Sequence, residues 1–150
     1  MTKIRRALTA AAAAASAVVL ASTPASAYPT WQAWNPPASY DCGDTTHSTP
    51  STKVIHQVCI GFNQTNASAQ AVLLVRNNST VNIKIDSATV WWKNAAGYGI
   101  GAQAHCESTI VVPGELTACY GMTIFPGTDY TAHANYWYNG KLSTAVPEKI

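Results

Sequence analysis

Tyr130-Thr-Ala-His-Ala-Asn-Tyr-Trp-Tyr138 and Lys141-Leu-Ser-Thr-Ala-Val146 flank the dipeptide Asn139-Gly140. Asn-Gly between two strand-like runs is the strongest short signal for a β-hairpin, because both central residues of its tight turn need positive φ. A two-residue turn there sets Tyr138 opposite Lys141 and Trp137 opposite Leu142. Along the first run, Tyr130, Ala132, Ala134, Tyr136 and Tyr138 share one face; Thr131, His133, Asn135 and Trp137 share the other. The Trp137/Leu142 pair reads as core-facing, which turns Tyr136 and Tyr138, beside Lys141 and Ser143, toward solvent.

Upstream of the hairpin, short apolar runs alternate with turn residues. Val54–Ile60 is β-branched and apolar, and Phe62-Asn-Gln-Thr-Asn-Ala-Ser68 breaks it. Ala69–Arg76 ends at Asn77-Asn-Ser79. Val81–Ile85 alternates apolar and polar residues with the period of a half-buried strand, and Ala88–Lys93 follows. Ser108–Val112 and Leu116–Tyr120 flank Pro113-Gly114, a type II turn pair. Gly97-Tyr-Gly-Ile-Gly101 reads as a flexible hairpin end. Nothing after residue 27 has helical periodicity. About eight strands separated by turns every 8 to 12 residues or so predict an all-β antiparallel sandwich.

Before the strands, Tyr28–Pro50 reads as an irregular arm, since Pro29, Pro36 and Pro37 each restrict the residue before them. The expected organisation is therefore an export segment over 1–27, the arm over 28–50 and a β-domain over 51–150. The export segment has a basic start (Lys3, Arg5, Arg6), an apolar run from Ala7 to Leu20 and the ending Ala25-Ser-Ala27. These are the three parts of a secretory signal cleaved after Ala27. The apolar run, about 14 residues, is shorter than the roughly 20 of a membrane-spanning helix. Secretion by the general route is expected. The residues around Arg5-Arg6 do not follow the twin-arginine pattern.

Cleavage would change the electrostatics. The whole chain has nine Lys and Arg against seven Asp and Glu. Without Lys3, Arg5 and Arg6, six basic residues face the same seven acids. That near-neutral balance, with its cations scattered, has no footprint for nucleic acid or an anionic membrane.

Cys42, Cys59, Cys106 and Cys119 all follow the export segment. An even count in an oxidising compartment implies two disulfides. Of three possible pairings, Cys42–Cys59 and Cys106–Cys119 need only local closure. His56-x-x-Cys59 and His105-Cys106 are fragments of a metal site without the C-x-x-C or H-x-x-x-H spacing that completes one, so no metal and no cofactor is expected. Asp41 and Asp44, with Thr45 and Thr46, read as a solvated turn rather than a calcium loop. No Ser sits in a G-x-S-x-G elbow, oxidised cysteines cannot be thiolate nucleophiles, and the glycines of 97–101 lack the Lys of a phosphate loop. The expectation is a protein that is not an enzyme. Asn63, Asn66, Asn77 and Asn78 each open an N-x-S/T triplet, read here as turn chemistry.

The Ala-rich export segment resembles those of small secreted proteins from high-GC Gram-positive bacteria. Residues 69–120, with Asn-Asn-Ser, a Trp-bearing strand and Val112-Pro-Gly-Glu-Leu-Thr117, resemble bacterial immunoglobulin-like accessory domains. In those domains a strand ends on such a turn and crosses to the other sheet, and the resemblance implies an immunoglobulin-like sandwich. The aromatic side chains point to binding: Trp31, Trp34, Trp92, Tyr136 and Tyr138 are the expected platform for a polysaccharide or an extracellular protein. The alternatives are an inhibitor of an extracellular hydrolase and a structural cell-surface protein. The four cysteines and the Trp/Tyr content resemble amylase inhibitors, although the Trp-Arg-Tyr triplet is absent.

Overall fold

β-Branched and aromatic residues at alternating positions favour extended chain, and an apolar face on each strand must be covered by another layer. The computed structural model of the protein describes residues 30–125 and 129–149, and the expected export segment 1–27 lies outside them. Among the described residues are twelve strands and no helix: β1 Gln32–Ala33, β2 Ser39–Cys42, β3 Thr46–Ser48, β4 Ser51–Asn63, β5 Ser68–Asn77, β6 Ile83–Asn94, β7 Gly99–Cys106, β8 Thr109–Val111, β9 Leu116–Ile124, β10 Tyr130–Tyr138, β11 Lys141–Thr144 and β12 Glu148–Lys149. All pairings are antiparallel. The first sheet runs β1-β9-β5-β4-β2, with β3 also on β4. The second runs β11-β10-β6-β7, with β12 on β10 and β8 on β6.

The inner faces of the two sheets form one apolar core. Val58, Ile60, Leu73 and Val75 come from the first sheet; Ile85, Val90, Trp92 and Tyr136 come from the second. The sheets approach closely at Gly121, where an added Cβ would lie 2.8 Å from Val90 Cγ1 and 2.9 Å from the Ala71 carbonyl oxygen. Both disulfides pair as expected. Cys106–Cys119 joins β7 to β9 and so crosses between sheets, whereas Cys42–Cys59 joins directly opposed residues of β2 and β4. Two disulfides of this kind point to an oxidising environment.

The chain changes sheets at the Pro113-Gly114 turn: β8 pairs with β6 in the second sheet and β9 lies in the first. The turn closes with the Glu115 N–H donating to the Val112 carbonyl at 3.1 Å. Asn77, fully buried, fixes its surroundings. Its side-chain amide donates to the Val81 and Val111 carbonyls at 2.8 and 2.9 Å, and its Oδ1 accepts the Ser79 N–H.

Three expectations require correction. The arm is not irregular: β1 adds to β9, while β2 and β3 add to β4. The expected strands Val81–Ile85 and Ala88–Lys93 are one strand, β6, which starts only at Ile83 and whose register skips Asp86 against β10, a bulge that resets the face alternation. β7, written Gly99-Ile-Gly-Ala-Gln-Ala-His-Cys106, takes in Gly99, Ile100 and Gly101, which were expected to belong to a flexible hairpin end.

Gly121→Ala is expected to destabilise the protein by about 1–3 kcal/mol, because the contacting atoms include backbone of a neighbouring strand. Gly99→Ala, whose Cβ meets nothing closer than 3.9 Å, should stay within about 0.5 kcal/mol. Denaturant unfolding of the two variants tests this contrast.

Candidate functional site

The β10–β11 hairpin has the expected register, Tyr138 opposite Lys141 and Trp137 opposite Leu142, with Asn139 and Gly140 at φ of 51° and 69°. Its faces are reversed. Tyr136 is fully buried and Tyr138 nearly so, while Trp137 and Leu142 are 45 % and 41 % exposed. Trp92 is also buried, and its indole N–H donates to the Met122 carbonyl at 3.1 Å. Tyr136, Tyr138 and Trp92 therefore belong to the core and form no external platform.

The Tyr136 hydroxyl is satisfied inside. It lies 3.0 Å from His56 Nδ1, and burial holds its pKa above the usual phenol range. His56 Nε2 sits 3.2 Å from the Thr144 carbonyl and 2.7 Å from Thr46 Oγ1. A carbonyl only accepts, so Nε2 carries the ring proton and Nδ1 accepts from Tyr136. Beside this pair, the buried Ser48 and Ser143 hydroxyls are 3.0 Å apart.

The remaining expected residues lie on the arm. Trp31 is half-buried against the core, and its indole N–H donates to the Glu107 carbonyl at 2.6 Å, so it anchors the arm. Trp34 lies on the outer face of the first sheet. That face is apolar: Cys59, Val72, Leu74 and Ala118 are buried there beneath Trp34, Leu116 and Tyr120. Trp34 meets Tyr40 edge-on at 5.8 Å and lies tilted by 31° over Tyr120 at 6.2 Å between ring centroids. Pro37 packs directly on Gly61, where a side chain would collide with it.

Trp34 separates two open clefts, each of about 230 Å³. One is floored by Ile55, Leu74 and Leu116, walled by Trp34 and Tyr40, and edged by Thr45, Gln57 and Arg76. The other lies between Trp34, Pro37, Phe62 and Tyr120, with Asn35, Asn63, Gln70 and Thr123 around it. Apolar floors with a few polar side chains at the rim are the usual makeup of ligand sites. Tyr40 and Tyr120 were absent from the expected platform. The signal for Tyr120 was period-2 alternation: Leu116, Ala118 and Tyr120 share one face of β9.

The opposite outer surface, on the second sheet, carries Trp91 stacked on His133 at 5.5 Å, with Trp137 farther along β10. Burial and then Lys93 lower the His133 pKa. The metal fragments do not assemble. His56 points inward and Cys59 outward, both cysteines of the fragments are in disulfides, and no cluster of three metal-ligating side chains occurs among the described residues.

No protein-family profile and no curated protein matches the chain. Among solved structures it is similar to one titled "X-ray structure of Northeast Structural Genomics Consortium target SoR45", with 11 % identity and a TM-score of 0.39 over 73 % of this chain and 83 % of that one.

Two predictions follow from this geometry. Tyr136→Phe should cost about 1–2 kcal/mol by leaving His56 Nδ1 unpaired. Trp137→Ala should stay within about 0.5 kcal/mol. The opposite order in urea unfolding would restore the face assignment expected from the sequence, with Trp137 inside and Tyr136 outside.

The second concerns acid. Burial lowers the His56 pKa, outweighing the opposing Thr144 hydrogen bond, and His47 adds a smaller lowering. The unfolded chain therefore binds the proton first as pH falls. Stability should be level above about pH 6.5 and drop as pH falls from there through the folded value. The measurement is the thermal midpoint from pH 5 to 8, with a flatter profile expected for His56→Gln than for His133→Gln.

Proposed function

We propose that this is a secreted, non-catalytic saccharide-binding module, an immunoglobulin-like sandwich whose ligand lies across Trp34 on the outer face of the first sheet. The basic, apolar and Ala-x-Ala parts of residues 1–27 support export, and the two disulfides agree with an oxidising destination. The sheet change at Val112-Pro-Gly-Glu115 supports the immunoglobulin-like reading.

One observation carries the binding proposal: the Trp34 ring forms a wall of both clefts. An aromatic ring between two shallow, rimmed depressions suits a chain of rings, one stacked on the indole and its neighbours seated on either side. Stacking uses the apolar face of a sugar, while rim amides and hydroxyls pair with its hydroxyl groups. A polysaccharide ligand uses both features at once.

A pull-down on insoluble cellulose, chitin, xylan and peptidoglycan tests the proposal. The protein should be retained on at least one, and Trp34→Ala should weaken that retention roughly tenfold or more, as expected for a central aromatic contact. Trp137→Ala, on the other surface, should bind as the parent does. Retention on none of the panel, or equal retention of Trp34→Ala with its fold intact, would remove the proposal.

A further inference from the structure

We infer that the cleft beside Arg76 receives an acidic sugar, a uronic-acid residue whose carboxylate meets the Arg76 guanidinium while its ring lies against Trp34 and Tyr40. This rests on the saccharide-binding reading of the Trp34 face and names the sugar class.

Arg76 is the only arginine after residue 27. It stands on β5 directly between Ile55 of β4 and Leu116 of β9, a position flanked by apolar side chains on both sides. A guanidinium placed there gains no partner from its cross-strand neighbours. Its Nε donates to Asn78 Oδ1 at 3.1 Å, which steers the fork and leaves the terminal nitrogens uncommitted by that bond. Among the described residues, no carboxylate lies in ion-pair reach of it. Glu115, next to Leu116, is engaged by the Val112 N–H at 2.9 Å. Lys53 lies on the same face of β4, two residues from Ile55, and adds positive potential at that end.

Gln57 adds a second donor. Its Oε1 is taken by the Thr45 hydroxyl at 2.7 Å, so its Nε2 is the amide atom left for a ligand; that nitrogen meets only the Cys59 sulfur, at 3.5 Å. Sulfur is a weak acceptor, and a ligand oxygen would displace that contact at little cost. The cleft thus offers a cation and an amide N–H together with the Trp34 and Tyr40 rings. A neutral sugar needs acceptors as well as donors from its site. A carboxylate on a sugar ring supplies acceptors in a planar pair, the geometry that an arginine fork matches. The second cleft, edged by Asn35, Asn63, Gln70 and Thr123, has no charged side chain and suits a neutral neighbouring ring.

Calorimetric titration distinguishes this inference from the broader one. The probes are tetrasaccharides of galacturonate, alginate and glucuronate, each paired with its methyl ester, which removes the charge and keeps the ring. At least one acid should bind roughly tenfold tighter than its ester at low salt, with the gap narrowing as salt is raised. Arg76→Gln should abolish the gap by weakening the acid far more than the ester. Arg76→Lys should keep part of it, since a point charge replaces the fork. Equal affinity for acid and ester, or a gap that persists in Arg76→Gln, overturns the inference. Failure of all the acids alongside retention on a neutral polysaccharide overturns it and leaves the binding proposal standing. Binding of a glutamate-rich peptide and of no saccharide overturns both.

Discussion

The outer face of the first sheet has to be covered, and much of the structure follows from that constraint. β5 reads Ser-Ala-Gln-Ala-Val-Leu-Leu-Val-Arg-Asn, with Val72 and Leu74 on one face and Ala71, Leu73 and Val75 on the other, all buried. The inner set meets the second sheet. The outer set would leave Val72, Leu74, Ala118 and Cys59 in water, an apolar patch larger than a single exposed side chain. The arm resolves this by laying Trp34 over the patch, with Cys42 and Tyr40 of the edge strand β2 beside it. Because the covering is narrow and led by one indole, it leaves a cleft on either side. The candidate site is thus a by-product of how the sheet is shielded.

The parts of the fold that local chemistry specifies were legible in the sequence. Asn139-Gly140 set both the turn and the register of β10 with β11, since a two-residue loop allows only one pairing. Pro113-Gly114 marked the turn at which the chain changes sheets. The disulfide pairing was legible too, although local closure was an incomplete reason. Cys106–Cys119 spans two layers, and Cys42–Cys59 closes a directly opposed pair within one sheet.

What was not legible depends on partners distant in sequence. Apart from Ile100 and Cys106, β7 is built from Gly, Ala, Gln and His, residues with little strand preference, and it is held by pairing to β6. The face of β10 is not readable from its last two residues. Trp137 and Leu142 look more apolar than Tyr136 and Ser143, but Thr131, His133 and Asn135 share the Trp137 face, whereas Ala132 and Ala134 share that of Tyr136. Alternation along the whole strand outweighs one pair at its tip. The polar atoms of Tyr136 and Ser143 could go inside because His56 and Ser48 meet them there, and no local pattern announces those partners. For the site, Trp34 was found because tryptophan in an extended arm is conspicuous. Arg76 was not, because its meaning comes from Ile55 and Leu116 beside it.

The buried polar cluster also bears on binding. Ser48 ends the arm at β3, and its hydroxyl reaches Ser143 on β11, while the Thr49 N–H also donates to Ser143 Oγ at 3.0 Å. The arm is therefore tied to the second sheet at this end, to β4 through Cys42–Cys59, and to the β7–β8 connection through the Trp31 indole. Trp34 and Tyr40 lie between these ties. Fixing both sides of a segment removes conformational freedom before a ligand arrives, which lowers the ordering cost that binding must overcome. An open cleft walled by a loose arm would spend its contacts on immobilising the indole. Here the covalent and hydrogen-bonded ties stand on both sides of the indole, so the proposed saccharide ligand would need only a modest set of contacts around Trp34.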